Sequence, residues 1–109
     1  MPPPQPYLIT SGDCGKYFLV GTSFSDPEII AYIGNYNKWT ITNPVTWNWD
    51  YNGQSVVTSG LPTDPDAPAG VTGPWSKIKI KNLRQHTGKI TVHCTDDTGV
   101  TLTTYCHGI

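Results

Sequence analysis

The sequence predicts an all-β fold, an antiparallel sandwich of about seven to nine short strands in a single domain. The 109 residues include 11 Gly, 10 Pro and 15 Thr but only one Met and one Glu, which is a composition poor in helix formers. Short apolar or alternating segments are separated by turn residues at the spacing typical of a sandwich or a barrel. A chain of this length can form one domain with a core of its own.

The elements follow in order from an N-terminal arm. Residues 1–6 contain four prolines, which cannot donate backbone hydrogen bonds and favour extended polyproline II geometry. Residues 7–109 form the predicted sandwich. The candidate strands are residues 7–10, 16–20, 28–33, 38–42, 45–50, 55–58, 76–83, 89–95 and 100–105. Residues 28–33 could alternatively form one helical turn, because Asp26-Pro27-Glu28 is also a plausible helix start.

Two turn signals connect these strands. Asn52-Gly53 tolerates the positive φ angles of a type I′ turn, so it predicts a hairpin between the segments at 45–50 and 55–58. Asp97-Thr98-Gly99 is expected to turn the chain between the last two strands. Residues 61–75 hold four prolines and show no periodicity, which predicts a long surface loop.

Strict alternation identifies the predicted core. In residues 77–81, Ile78 and Ile80 fall on one face and the three lysines on the other. The next strand repeats the pattern. The residues predicted to point inward are Ile78, Ile80, Ile90, Val92, Cys94, Val100 and Leu102, and those predicted to point outward are Lys77, Lys79, Lys81, Lys89, Thr91 and His93.

Several of these segments also carry a family resemblance. They are Trp39-Thr40-Ile41, Ser59-Gly60, residues 76–82 and residues 88–96 followed by Gly99. They are similar to the central-strand Trp, the S-x-I-x-I strand and the G-x-I-x-V-x-(A/C)-x-(D/N)-x-x-G hairpin of bacterial and phage immunoglobulin-like modules, including the PKD-like group. The resemblance covers roughly residues 39–105 and implies an immunoglobulin-like sandwich. Turn and core patterns imply no particular activity.

The cysteines do not form a disulfide framework. The chain has three, Cys14, Cys94 and Cys106, which allow at most one internal bridge. In a hairpin that turns near residues 97–99, Cys94 lies opposite about residue 101, too far from Cys106 for a bridge. Any internal disulfide would then have to involve Cys14. We expect Cys94 to be a buried free thiol and folding to require no native disulfide.

The ionisable residues do not predict an enzyme. Asp64 with Asp66, and Asp96 with Asp97, lie in a Pro-rich loop and a tight turn, which are poor supports for the paired carboxylates of glycoside hydrolysis. The loop aspartates could alternatively hold Ca²⁺. Side chains of the types that bind metals occur at His86, His93, Cys94, Cys106 and His107. His93 and Cys94 are adjacent on a strand and point to opposite faces, so they cannot bind one metal together. We therefore predict no catalysis, no metal and no cofactor.

Aromatic and basic residues supply the candidate contacts. Trp47, Trp49 and Tyr51 share one strand face and could stack on a sugar, although we favour a core position because an immunoglobulin-like core usually holds a Trp. Trp75 could anchor the long loop or a partner. The outward lysines form a patch that is either solvated or a docking surface. A net charge of −1 does not support nucleic-acid binding, and no apolar segment is long enough to span a membrane.

These observations predict a non-catalytic structural or binding module, and we expect it to be a phage virion component such as a capsid or tail decoration protein. The initial Met and the absence of a secretion signal favour this location. Capsid or tail subunits, or further copies of the chain, would bind the predicted contact residues Pro2, Pro3, Pro4, Pro6, Tyr7, Trp75, Lys77, Lys79 and Lys81. One alternative is a module of a secreted or cell-surface bacterial adhesin or glycan-processing protein. Another is a carbohydrate-binding module that uses exposed Trp on a surface glycan.

Overall fold

The computed structural model describes residues 6–12, 28–36, 44–81 and 89–107. These ranges contain seven β-strands and no α-helix. The strands are β1 (Tyr7–Gly12), β2 (Glu28–Gly34), β3 (Pro44–Asp50), β4 (Ser55–Gly60), β5 (Trp75–Ile80), β6 (Lys89–Asp96) and β7 (Thr101–His107). The strand prediction for residues 28–33 is confirmed and the helical alternative is wrong. The strands predicted at 16–20 and 38–42 lie outside the described residues.

The strands form two antiparallel sheets. Sheet A has the order β1-β2-β5-β4 and sheet B the order β3-β6-β7. A constant-type immunoglobulin sandwich divides its strands in the same way, with the first, second, fifth and fourth in one sheet. The predicted all-β antiparallel sandwich is confirmed. Strand order describes topology and does not by itself show family membership.

The predicted Asn52-Gly53 hairpin is wrong. β3 pairs with β6 in sheet B, and β4 pairs with β5 in sheet A, so this segment carries the chain from one sheet to the other. The phenol of Tyr51 lies over Gly53, where a Cβ atom would overlap it. By contrast, the predicted turn at residues 97–99 is confirmed, because the Asp96 amide donates to the Val100 carbonyl at 3.0 Å and Gly99 has φ +90°.

The core lies between the sheets, where the predicted alternation places it. Ile78, Ile80, Ile90 and Val92 are at most 2% exposed, and the half-buried Leu102 packs against the cluster that contains Val92. The remaining buried apolar residues between the two sheets are Leu8, Ile29, Ala31, Ile33, Cys94 and Cys106, and Trp75 is buried on the outer face of sheet A. Val100 points to solvent, contrary to its predicted inward position, because it belongs to the turn before β7.

One polar bridge crosses this core. The indole N–H of Trp49 on β3 donates to the hydroxyl of Ser76 on β5 at 2.8 Å. Ser76 is fully buried, accepts a second hydrogen bond from the Ser59 hydroxyl at 2.9 Å and donates to the Thr58 carbonyl at 3.2 Å. Both lone pairs and the proton of the Ser76 hydroxyl are therefore used. The bridge links the two sheets by a directional contact.

Candidate functional site

The outer face of sheet A is the side that points away from sheet B. Alternation along β2 and β5 buries Ile29, Ala31, Ile33, Ser76, Ile78 and Ile80 between the sheets, so their neighbours point outward. The strand register extends this face across the sheet. Its members are Tyr7, Ile9, Glu28, Ile30, Tyr32, Val56, Thr58, Trp75, Lys77 and Lys79.

One half of this face is apolar. Ile9 pairs with Tyr32 and Tyr7 pairs with Gly34, so aromatic and aliphatic groups form a continuous row with Ile30. Tyr7 is 51% exposed, and the other three side chains of the row are half-buried. We call Tyr7, Ile9, Ile30 and Tyr32 the apolar row. Because the solvent face of an antiparallel sheet is usually polar, this row is a candidate contact surface.

The local sequence explains why Tyr7 lies flat on the sheet. A Cβ atom on Gly34 would lie 2.7 Å from the Tyr7 ring, so only glycine leaves room for the ring there. Leu8 points into the core beside Ile33, which fixes Tyr7 on the opposite face. The predicted contact residue Tyr7 is thus at the surface. Pro6 precedes it and is half-buried, whereas Pro2, Pro3 and Pro4 lie outside the described residues.

The other half of the face is charged, and its sign is mixed. Lys79 and Lys81 are exposed as predicted, but Lys77 is half-buried. The Lys77 ammonium lies 3.7 Å from the Glu28 carboxylate, and both side chains remain partly in solvent, so this ion pair contributes little to stability. A shallow groove of about 220 Å³ lies on this half of the face. It is lined by Glu28, Val56, Thr58, Asp66, Trp75, Lys77 and Lys79. The predicted basic patch is therefore balanced by two acidic groups.

Trp75 anchors the long loop, which is one of its two predicted roles. Its indole N–H donates to the Leu61 carbonyl at 2.9 Å, and only 1% of the residue is exposed. The Asp64 carboxylate accepts a hydrogen bond from the Leu61 amide at 2.8 Å, so this aspartate shapes the turn. Loop residues 61–74 thus cover Trp75. Almost none of the Trp75 surface is accessible to a partner, so its predicted role as a partner contact is not supported.

The aromatic residues of β3 face the interior. Trp47 and Trp49 pack against the buried clusters and alternate with the exposed Thr46, Asn48 and Asp50. Tyr51 packs against the same core, and burial raises the pKa of its phenol. The core position that we favoured for the Trp residues is observed. Trp47, Trp49 and Tyr51 are each half-buried.

Two of the remaining polar candidates, Asp96 and His93, have structural partners. Asp96 accepts hydrogen bonds from the Thr98 hydroxyl at 2.7 Å and from the Thr98 and Val100 amides at 2.9 Å. The Thr98 hydroxyl in particular lowers the pKa of this carboxyl. His93 bonds Thr103 at 2.9 Å on the outer side of sheet B, opposite to Cys94.

Metal-ligating side chains do not converge in the described ranges, where no group of three or more His, Cys, Asp or Glu residues could hold an ion. The side chains of His86 and His107 lie outside what the structure describes. No helix of the described residues is long and apolar enough to cross a membrane.

The cysteines differ from the expectation in one respect. Cys94 is a buried free thiol opposite Leu102, as expected, and its burial raises the pKa to about 12 with a further contribution from nearby Asp96. Cys106, however, is disulfide-bonded. Because Cys94 is free, the bridge of Cys106 does not involve it, in agreement with the register expected for the hairpin. Cys14 lies outside the described residues.

Sequence reasoning missed the aliphatic half of the apolar row. In residues 28–33, Ile29, Ala31 and Ile33 would fill one face of a strand, yet Ile30 and Tyr32 make the other face apolar as well. A strand that is apolar on both faces either is central in a covered sheet or carries a contact surface. That signal was present in the sequence.

Comparison with known proteins adds no relative. No family model, no curated protein and no solved structure matches the chain.

Proposed function

We propose that the chain is a non-catalytic structural or binding module that docks onto a protein partner through the outer face of sheet A. The observation that carries this proposal is the apolar row on a solvent-facing sheet. Tyr7, Ile9, Ile30 and Tyr32 supply the aromatic and aliphatic groups typical of an interface core. Glu28, Lys77 and Lys79 lie beside them and supply a polar rim.

The N-terminal arm extends this contact. The chain continues from Tyr7 directly into residues 1–6, so the arm begins at the apolar row. Prolines restrict the unbound conformations of an extended segment, which lowers the entropy lost when the segment docks. The arm has few amide donors, and it suits packing along a partner surface rather than pairing within a sheet.

The partner that we favour is a capsid or tail subunit of a phage virion. The similarity of residues 39–105 to bacterial and phage immunoglobulin-like modules supports this choice. The disulfide at Cys106 fits an oxidising environment, and such environments include virion surfaces as well as secreted proteins. A module of a secreted or cell-surface adhesin is therefore the second candidate.

The docking surface can be tested with a photo-crosslinking amino acid at Tyr32 and a matched one at Thr103, which is exposed on the outer side of sheet B. We expect a defined partner subunit to be crosslinked from position 32 and not from position 103. Equal crosslinking from both positions would remove the outer face of sheet A from the proposal.

Binding to that subunit can then be measured for three variants. Deletion of residues 1–6 and the substitution Ile30→Lys should each weaken binding at least about tenfold, or about 1.4 kcal/mol, while Thr103→Lys should bind as the parent does. The deletion should leave the melting temperature almost unchanged. If the truncated and complete chains bind equally, the arm has no part in docking.

A further inference from the structure

The free edge of sheet A is formed by β4, at the opposite end of the sheet from β1 and the apolar row. In the described part of the chain, β4 pairs only with β5. Residues 55–59 are all exposed, including Val56 at 49% and Val57 at 44%. The two valines point to opposite sides of the sheet, because alternate residues of a strand do so. Both sides of this edge are therefore open and partly apolar.

β4 lacks the devices that usually prevent edge pairing. Its sequence, SVVTSG, has no charged residue and no proline, and its register against β5 is continuous. The edge strand β3 differs, since it contains Pro44 and Asp50 and has a bulge between Pro44 and Thr46. The edge strand β1 of sheet A lies next to β7. β4 is thus the unprotected edge of the described sheets.

The hydrogen-bonding groups on this edge can be assigned. The Lys81 amide donates to the Gln54 carbonyl at 2.9 Å, so residue 54 bonds toward β5. Bonded and non-bonded pairs alternate in an antiparallel ladder, so residues 56 and 58 also bond toward β5. Ser55, Val57 and Ser59 therefore point their amides and carbonyls away from β5, to the free edge.

We infer that β4 pairs antiparallel with β4 of a second copy of the chain, about a twofold axis at Val57. This register places Val57 opposite its own copy and Ser55 opposite Ser59 of the other copy. Each of these pairs joins residues whose backbone amides and carbonyls point to the free edge. Every free amide from 55 to 59 therefore meets a carbonyl of the other copy. The two sheets A become one continuous sheet, and the contact is closed by symmetry.

The side chains are compatible with this pairing. On the inner side, Val57 meets Val57 of the second copy, which is an apolar pair without repulsion. On the outer side, Val56 meets Thr58, and the nearest lysines belong to the flanking β5 strands. Lys79 is then separated from Lys77 of the second copy by three strand spacings, or about 14 Å, beyond the screening length of about 8 Å in physiological salt.

Sedimentation velocity at increasing protein concentration tests this inference. An edge contact of this size is small, so we expect a monomer–dimer equilibrium that becomes visible at high micromolar concentration. Val57→Lys places like charges opposite each other and should reduce the dimer fraction about tenfold. Val100→Lys is the matched control, since Val100 is 50% exposed in the turn before β7, and it should dimerise as the parent does.

Disulfide trapping provides a second measurement that does not depend on the lysine variants. With oxidised glutathione as oxidant, Val57→Cys should form a covalent dimer at least about tenfold faster than Val100→Cys, because only the twofold axis holds the two thiols together. A parent chain that stays monomeric at all concentrations would overturn the inference. So would unchanged dimerisation of Val57→Lys, equal trapping rates, or association that continues beyond the dimer.

Discussion

Replacing Ser76 by Ala tests the polar bridge between the sheets. In the parent protein the Trp49 indole N–H lies 2.8 Å from the Ser76 hydroxyl oxygen. The substitution removes this acceptor from the interior. An unsatisfied buried donor costs about 1 to 3 kcal/mol. Ser59 is exposed and can turn its hydroxyl to water, so the loss of its bond to Ser76 adds little to the free-energy cost. We expect Ser76→Ala to lower the free energy of unfolding by about 1 to 3 kcal/mol.

Urea denaturation followed by tryptophan fluorescence and circular dichroism measures this loss. Ser59→Ala is the matched control, because it removes the exposed partner of the same hydroxyl, and it should change stability by less than about 0.5 kcal/mol. A double-mutant cycle with Trp49→Phe should give a coupling energy of about 0.5 to 3 kcal/mol. If Ser76→Ala and Ser59→Ala have equally small effects, the bridge does not hold the sheets together.

Four further outcomes are expected. Ile80→Ala should cost about 2 to 5 kcal/mol in the same titration, whereas Lys79→Ala should stay within about 0.5 kcal/mol, and similar losses would show that the two faces of β5 are exchanged. Iodoacetamide at mildly alkaline pH should not modify Cys94 in the native protein, because its thiol has a pKa of about 12; rapid native labelling on mass spectrometry would contradict its burial. Reductant should lower the free energy of unfolding by about 2 to 5 kcal/mol, as is typical when a native disulfide is lost, and no change would show that the Cys106 bridge is dispensable. The lowered pKa of Asp96 stabilises the fold above the ordinary value of 3.8, and this contribution is lost as the pH falls through the folded-state pKa, so Asp96→Asn should be less sensitive to acid than the parent in urea titrations.

The sequence predicted the features that depend on local alternation. Ile78 and Ile80 lie inside and Lys79 outside because a period of two admits no other arrangement once one face is buried. The same principle placed residues 28–33 in a strand. The inward position of Trp47 and Trp49 could also be read from the polar residues between them.

Features that depend on which strands become neighbours could not be predicted. Asn52-Gly53 marks a turn, but whether the next strand returns to the same sheet or crosses to the other is decided by distant residues. Alternation assigns Trp75 to the same face as Lys77, and nothing local shows that the loop folds back over it. Glu28 enters the lysine patch only through the register of β2 with β5.

The loop of residues 61–74 offers a place to lengthen the chain. It begins after Gly60 and ends before Trp75, which are direct partners in the β4–β5 ladder, so its ends are already held together. Doubling the length of a flexible loop adds only about 0.6 kcal/mol of closure entropy. The Asp64 side chain and the backbone at Leu61 and Pro74 must keep their positions, because their hydrogen bonds fix the loop ends and the Leu61 carbonyl accepts the bond from the Trp75 indole. Peptides inserted at the exposed residues near Gly70, in the loop whose Asp66 lines the charged groove, would therefore be displayed at little cost in stability.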